Sequence, residues 1–146
     1  MIAVRRLALV VVAVLALAAC GSGHKSSGQS AQAQVKSAYE KFFSSKTSLS
    51  DRVALLQNGS QFKTVIEAFA INPLARNVTA TVSSVTLQGA NTAKVVYAVK
   101  FGGSSLGRRT GSAVRENGVW KVGDESLCKL IALGGTTPSV CKRRIP

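Results

Sequence analysis

Apolar side chains recur along this 146-residue chain with three spacings, and each spacing predicts a different kind of segment. From residue 7 to residue 19 they are continuous, thirteen in a row. Val35, Ala38, Tyr39, Phe42 and Phe43 then stand at i, i+3, i+4, i+7 and i+8, the single stripe of a helix beginning near Gln32. "SLSDRVALLQNG" reads as a second, short helix carrying Val53, Leu55 and Leu56. Ser50 is its expected N-cap, Asp51 lies in its first turn and Gly59 is its stop. Ser60 is expected to cap a third helix, with Phe62, Val65, Ile66 and Phe69 at helical spacing and Pro73 at its end. From Asn77 the period drops to two. Val78, Ala80 and Val82 alternate, then slip by one to Val85 and Leu87, so a bulge is expected at Ser83–Ser84. Ala93, Val95, Tyr97, Val99 and Phe101 share one face of a second strand, with Lys94 and Lys100 on the other. A third strand follows, roughly Leu106 to Arg115. Asn117-Gly118 is the hairpin signal leading into "VWKV". Asp124 is expected to cap a last short helix in which Leu127, Leu130 and Ile131 share a face.

Helices followed by a four-strand meander predict an α+β domain: N-terminal helices packed on one face of an antiparallel sheet, with a short C-terminal helix. No internal repeat and no second domain is legible.

The continuous run is too short for a membrane span, which needs roughly 20 apolar residues. Arg5 and Arg6 precede it and Ala18-Ala19 close it, the order of a secretory signal peptide. Leu17-Ala18-Ala19-Cys20 resembles the lipobox of bacterial lipoproteins. That resemblance implies removal of residues 1–19, a diacylglyceryl (palmitate-type) anchor on Cys20, and a location on the extracytoplasmic face of the cell membrane. "GSGHKSSGQSAQAQ" is then too polar to build a core, so residues 20–31 are read as a tether and 32–146 as the domain. The mature chain keeps seventeen of nineteen basic and all six acidic residues, a net charge of +11. Export also makes Cys128 and Cys141 an expected disulfide, worth about 3 kcal/mol for a loop of this length.

Tyr39-Glu40-Lys41-Phe42-Phe43, "VALLQNGSQF" (53 to 62) and "GVWKVGDESLCKLIAL" (118 to 133) together resemble the low-molecular-weight antigen family of mycobacterial and related actinobacterial envelope proteins. The similarity spans roughly residues 35 to 141, and the order and spacing of the segments carry it. It implies a cystatin-like or nuclear-transport-factor-2-like fold, with a curved sheet around helices, and an exported, often lipid-anchored location. It implies no catalytic residues.

Catalysis by a serine or cysteine with histidine is not readable, because the one histidine, His24, lies in the tether. Asp51 and Asp124 are expected at helix starts, and Asp124 and Glu125 are adjacent on a helix, a poor geometry for a dyad. "FGGSSLG" lacks the lysine and the helix start of a phosphate loop. Neither a metal nor a cofactor is expected. The alternative is a hydrolase or isomerase of the same fold.

Two non-enzymatic readings remain. In one, Phe42, Phe69, Tyr97, Val99, Phe101 and Trp120 line a pocket for a small apolar ligand or lipid. In the other, the domain meets an envelope protein, an anionic lipid or an anionic wall polymer through a basic face. Lys94, Lys100, Arg109 and Arg115 are expected outward on the central strands, and Lys142, Arg143 and Arg144 end the chain. Strand parity leaves open which of Arg108 and Arg109 faces inward. Nucleic acid is not an expected partner of an exported chain with so few aromatic residues. An apolar-lined cavity would favour the first reading and a filled interior the second.

Overall fold

The computed structural model describes residues 29–73 and 77–144; the leader, Cys20 and the tether up to residue 28 lie outside the described residues. In chain order the elements are α1 (Ala31–Phe43), α2 (Leu49–Leu55), a 3-10 turn (Gly59–Phe62) and α3 (Lys63–Ile71). Then come β1 (Thr79–Leu87), β2 (Thr92–Phe101), β3 (Ser104–Glu116), β4 (Val119–Val122), α4 (Asp124–Ala132) and a closing 3-10 turn (Ser139–Cys141). The strands form one antiparallel meander in the order β1-β2-β3-β4, so the architecture is α+β. Among the described residues no helix is long and apolar enough to cross a membrane.

The five stripe residues of α1 are the ones it buries. Ser30 caps the helix through its hydroxyl, so Ser30 and Ala31 belong to the domain rather than to the tether. α1 lies across the inner face of the sheet, against β1 and β4. Tyr39 reaches furthest: its hydroxyl donates to the Ser112 carbonyl of β3 and lies 3.1 Å from Ser126 Oγ on α4. Ser126 Oγ in turn accepts from the Ser112 amide, where the pairing of β3 with β4 has ended. Gly111 is the residue this junction requires, because a Cβ there would stand 2.6 Å from both hydroxyl oxygens.

Three N-caps and one helix stop differ from expectation. α2 starts from Ser48, whose hydroxyl accepts from the Asp51 amide while donating to the Asp51 carboxylate; this Ser48–Asp51 box leaves Ser50 inside the helix. Neither Ser60 nor Asp124 caps a helix: α3 continues directly from the 3-10 turn, and α4 takes Gly123 as its N-cap. Nor does Gly59 stop α2, which ends at Leu55. Leu56 is extended and bridges Val122 in parallel, and Gln57 donates to the Val122 carbonyl, which covers part of the β4 edge. Gly59 serves close approach, since a Cβ there would lie 1.9 Å from the Val53 carbonyl oxygen.

The β1 register slips between Val82 and Ser84, where the serine pair predicts it. A second irregularity, in β3, sets Val99 opposite both Leu106 and Gly107, with Gly107 at φ +76°. Asn117 and Gly118, both at positive φ, make the two-residue turn from β3 to β4.

Candidate functional site

The inner face of the sheet is covered unevenly. At one end α1 seals it: Tyr39, Tyr97 and Phe43 pack ring on ring at 5.0 to 6.3 Å, and Trp120 and Val122 are buried beside them. At the other end, toward the β2–β3 hairpin, cover comes only from the last turn of α1, α3 and α4. These elements do not meet fully, and they leave an apolar cavity of about 450 Å3 that opens to solvent. Val78, Val99, Phe101 and Leu106 form its sheet side. Phe42 and Phe43 close the α1 side, Val65, Ile66 and Phe69 the α3 side, and Leu127, Leu130 and Ile131 the α4 side. Phe69 and Phe101 face one another across it, ring centroids 5.9 Å apart. Both are only half buried, like Leu106, Leu130 and Ile131. These side chains point at the core stripe and yet lack a full set of neighbours.

Arg52 is the charged residue in this wall. It follows Leu49 by three residues and precedes Leu56 by four, so α2 turns it to the same side as its apolar residues. It is 8% exposed. One guanidinium nitrogen donates to the Ser44 carbonyl at 2.6 Å, while its Nε is buried without a partner. Among the described residues no carboxylate pairs with it. Burial lowers its pKa from the ordinary value, although a guanidinium remains charged at neutral pH. Sequence reading passed over Arg52; its place at apolar spacing within a helix is the signal that could have found it.

Of the six residues expected to wall a pocket, Phe42, Phe69, Val99 and Phe101 line this cavity; Tyr97 and Trp120 do not. Alternation places Tyr97 inward, but α1 covers that stretch of β2, and Trp120 belongs to the sealed end for the same reason. Neither tyrosine ionises easily there. Burial pushes the Tyr97 phenol up to about 12, with Arg109 opposing, and pushes Tyr39 further, with the Ser126 hydrogen bond opposing.

Cys128 and Cys141 form a disulfide, Cα atoms 5.4 Å apart, both sulfurs inside the core. It ties the tail to α4. Arg144 adds a second tie. It pairs through Nε with the buried Asp124, donates to Val140 and Gln61, and sits 5.3 Å above the Phe62 ring. Asn58 donates to the same Asp124 oxygen at 2.8 Å. Arg144 is therefore a latch and not part of an outward basic surface, while Lys142 and Arg143 are exposed.

The outward face of the sheet also differs from expectation. Lys94 pairs with Ser112, so Arg109 and Arg115 fall on the opposite, inner side with Gly111 and Ala113. Arg109 is half buried, donates to the Leu106 carbonyl and leaves its Nε without a partner. Arg115, at the end of β3, donates to the Gly118 carbonyl. The outward basic residues are Lys94, Lys100, Arg108 and Lys121, the last paired with Glu116 at 3.0 Å.

None of the six carboxylates lines the cavity. Glu40, Glu67, Glu116, Asp124 and Glu125 each pair with a lysine or arginine, and Asp51 is used at the start of α2. Among the described residues no group of His, Cys, Asp and Glu is placed to hold a metal ion.

The family model for the C-terminal domain of low molecular weight antigen MTB12 matches residues 29–138. The match takes in every helix and strand of the domain and stops short of Cys141 and the latch. No curated protein matches the sequence.

Proposed function

The chain belongs to the low molecular weight antigen MTB12 family, and on that premise we propose that it is an exported, lipid-anchored, non-enzymatic envelope protein that holds a small apolar ligand. The observation that carries this reading is the cavity beside Phe69, Phe101 and Leu106. Its volume of about 450 Å3 lies within the roughly 300–1,000 Å3 of ligand sites, and its walls are apolar with a few polar groups. A filled interior would have removed the reason for it. The leader argument supports the location: positive start, apolar run, and Cys20 at its end. Lys94, Lys100 and Arg108 on the exposed sheet face then lie on a domain tethered near acidic headgroups, where each cation contributes about 1 kcal/mol.

The test is intact mass. The domain from about Ser30 onward, which lacks the anchor residue, is purified from its native host without detergent and weighed under native and denaturing conditions. Extra mass that vanishes on denaturation is the expected result, and extraction names its class. The same native and apo masses would remove the ligand reading. The denatured spectrum of membrane-extracted protein separately reads the diacylglyceryl group on Cys20; its absence would remove the anchor.

A further inference from the structure

We infer that the occupant of the cavity is a single-chain amphiphile with an anionic head, a fatty carboxylate, seated with its head group on Arg52. This rests on the ligand-binding reading above and adds the chemistry of the ligand. A cation withdrawn from water without a counter-ion is costly, and proteins pair such charges or leave them out. Arg52 is withdrawn, pairs with no carboxylate among the described residues, and satisfies only part of its donor set on the Ser44 carbonyl. It stands in the wall of a space whose other lining is almost wholly hydrocarbon. A ligand with one carboxylate and one apolar chain meets both demands together. The head supplies the missing anion to the guanidinium, and the chain fills the space among Phe69, Phe101, Leu106 and Leu130. A neutral lipid would leave the arginine uncompensated, and a free small anion would leave the apolar space empty.

The arrangement also says where selectivity lies. Arg52 sits on a seven-residue helix whose start is fixed by the Ser48–Asp51 box. Its guanidinium is held by the Ser44 carbonyl just beyond α1. The charge is therefore placed before any ligand arrives, and the head-group position is set by the fold.

Delipidated protein is titrated with an environment-sensitive apolar fluorophore, which is then displaced by palmitate, by hexadecanol and by acetate, all below aggregation. Palmitate is expected to displace at least about tenfold more effectively than hexadecanol, in line with a charge-assisted hydrogen bond, and acetate to displace nothing. In Arg52→Met the two sixteen-carbon ligands should become equal; in Arg52→Lys a preference for the acid should persist, reduced. Equal displacement by acid and alcohol on the unaltered protein would overturn the anionic head while leaving an apolar pocket. Displacement by acetate would overturn the amphiphile. Failure of every long-chain ligand, with the fluorophore unbound, would remove the ligand-binding reading itself. The comparison on unaltered protein decides the matter even if an Arg52 variant does not fold.

Discussion

The two ends of β2 are built from the same pattern and end in different surroundings. Val95 is buried and Tyr97 packs beneath α1 against Tyr39, while Val99 and Phe101, two and four residues beyond Tyr97, line an open cavity, Val99 still buried and Phe101 only half so. Strand alternation decides which face a residue takes and cannot say what covers that face. Cover depends on the length and placement of elements distant in sequence. A thirteen-residue helix seals one end, and two nine-residue helices fail to seal the other. Tight packing and an open wall thus share one sheet and one strand.

That contrast is broken most directly by matched truncations on β2. Tyr97→Ala should cost about 4 kcal/mol, as for other buried aromatic deletions. Phe101→Ala, facing a space already empty, should cost about 1 kcal/mol. Urea midpoints check both, and equal losses would mean that the two ends are packed alike. Next in size is the Cys128–Cys141 bridge. Its removal by Cys141→Ala with Cys128→Ala should cost about 3 kcal/mol by the loop-entropy argument. Because α4 forms a cavity wall, fluorophore binding in native buffer should weaken as well.

The sealed end also sets an alkaline limit. Both tyrosines of the chain are buried, with phenol pKa values raised above the ordinary 10, Tyr97 to about 12. The unfolded chain releases these protons near pH 10 and the folded chain does not. Their contribution to stability is therefore complete below pH 10 and is lost as pH rises toward 12. Absorbance of the phenolate at the tyrosine red edge should stay flat through pH 10 and rise together with loss of ellipticity. A phenolate signal at pH 10 in folded protein would show that the end is not sealed. The smallest expected effect sharpens the contrast from the other side. Leu106→Trp adds volume where there is room, so stability should change by less than about 1 kcal/mol while fluorophore binding falls. Circular dichroism and fluorescence read the two independently.

Local signals carried much of the fold. The α1 stripe, the slip at Ser83–Ser84, the alternation of β2, the Asn117-Gly118 turn and the cysteine pair all describe interactions within a few residues or a single covalent link. What was missed is nonlocal. Parity in β3 could not be followed past the irregularity at Gly107, which left Arg108 and Arg109 undecided: Arg109 turns inward, and Arg115 shares its side yet lies exposed at the end of the strand. Arg144 looked like the end of a basic tail because Asp124 and Phe62 are brought to it only by the fold. Gly59 looked like a helix stop because the approach of the Val53 carbonyl is a property of packing. Of the cavity wall, Phe42, Phe69, Val99 and Phe101 were legible from α1, α3 and β2, but its α4 side read as ordinary core, and Arg52 gave no sign except its spacing.

The bridge through Cys128 has one more consequence. Cys128 follows Leu127 and precedes Leu130 and Ile131 by two and three residues, so the covalent tie sits within the helix turn that walls the cavity. With the Arg144 latch at the tail's far end, α4 is held at two points whether or not anything occupies the space. An incoming ligand therefore has little chain entropy to remove on that side. On the reading proposed above the domain is a preformed receptacle whose grip depends on the Cys128–Cys141 bridge staying oxidised. With the bridge reduced, the cavity would loosen before the fold did.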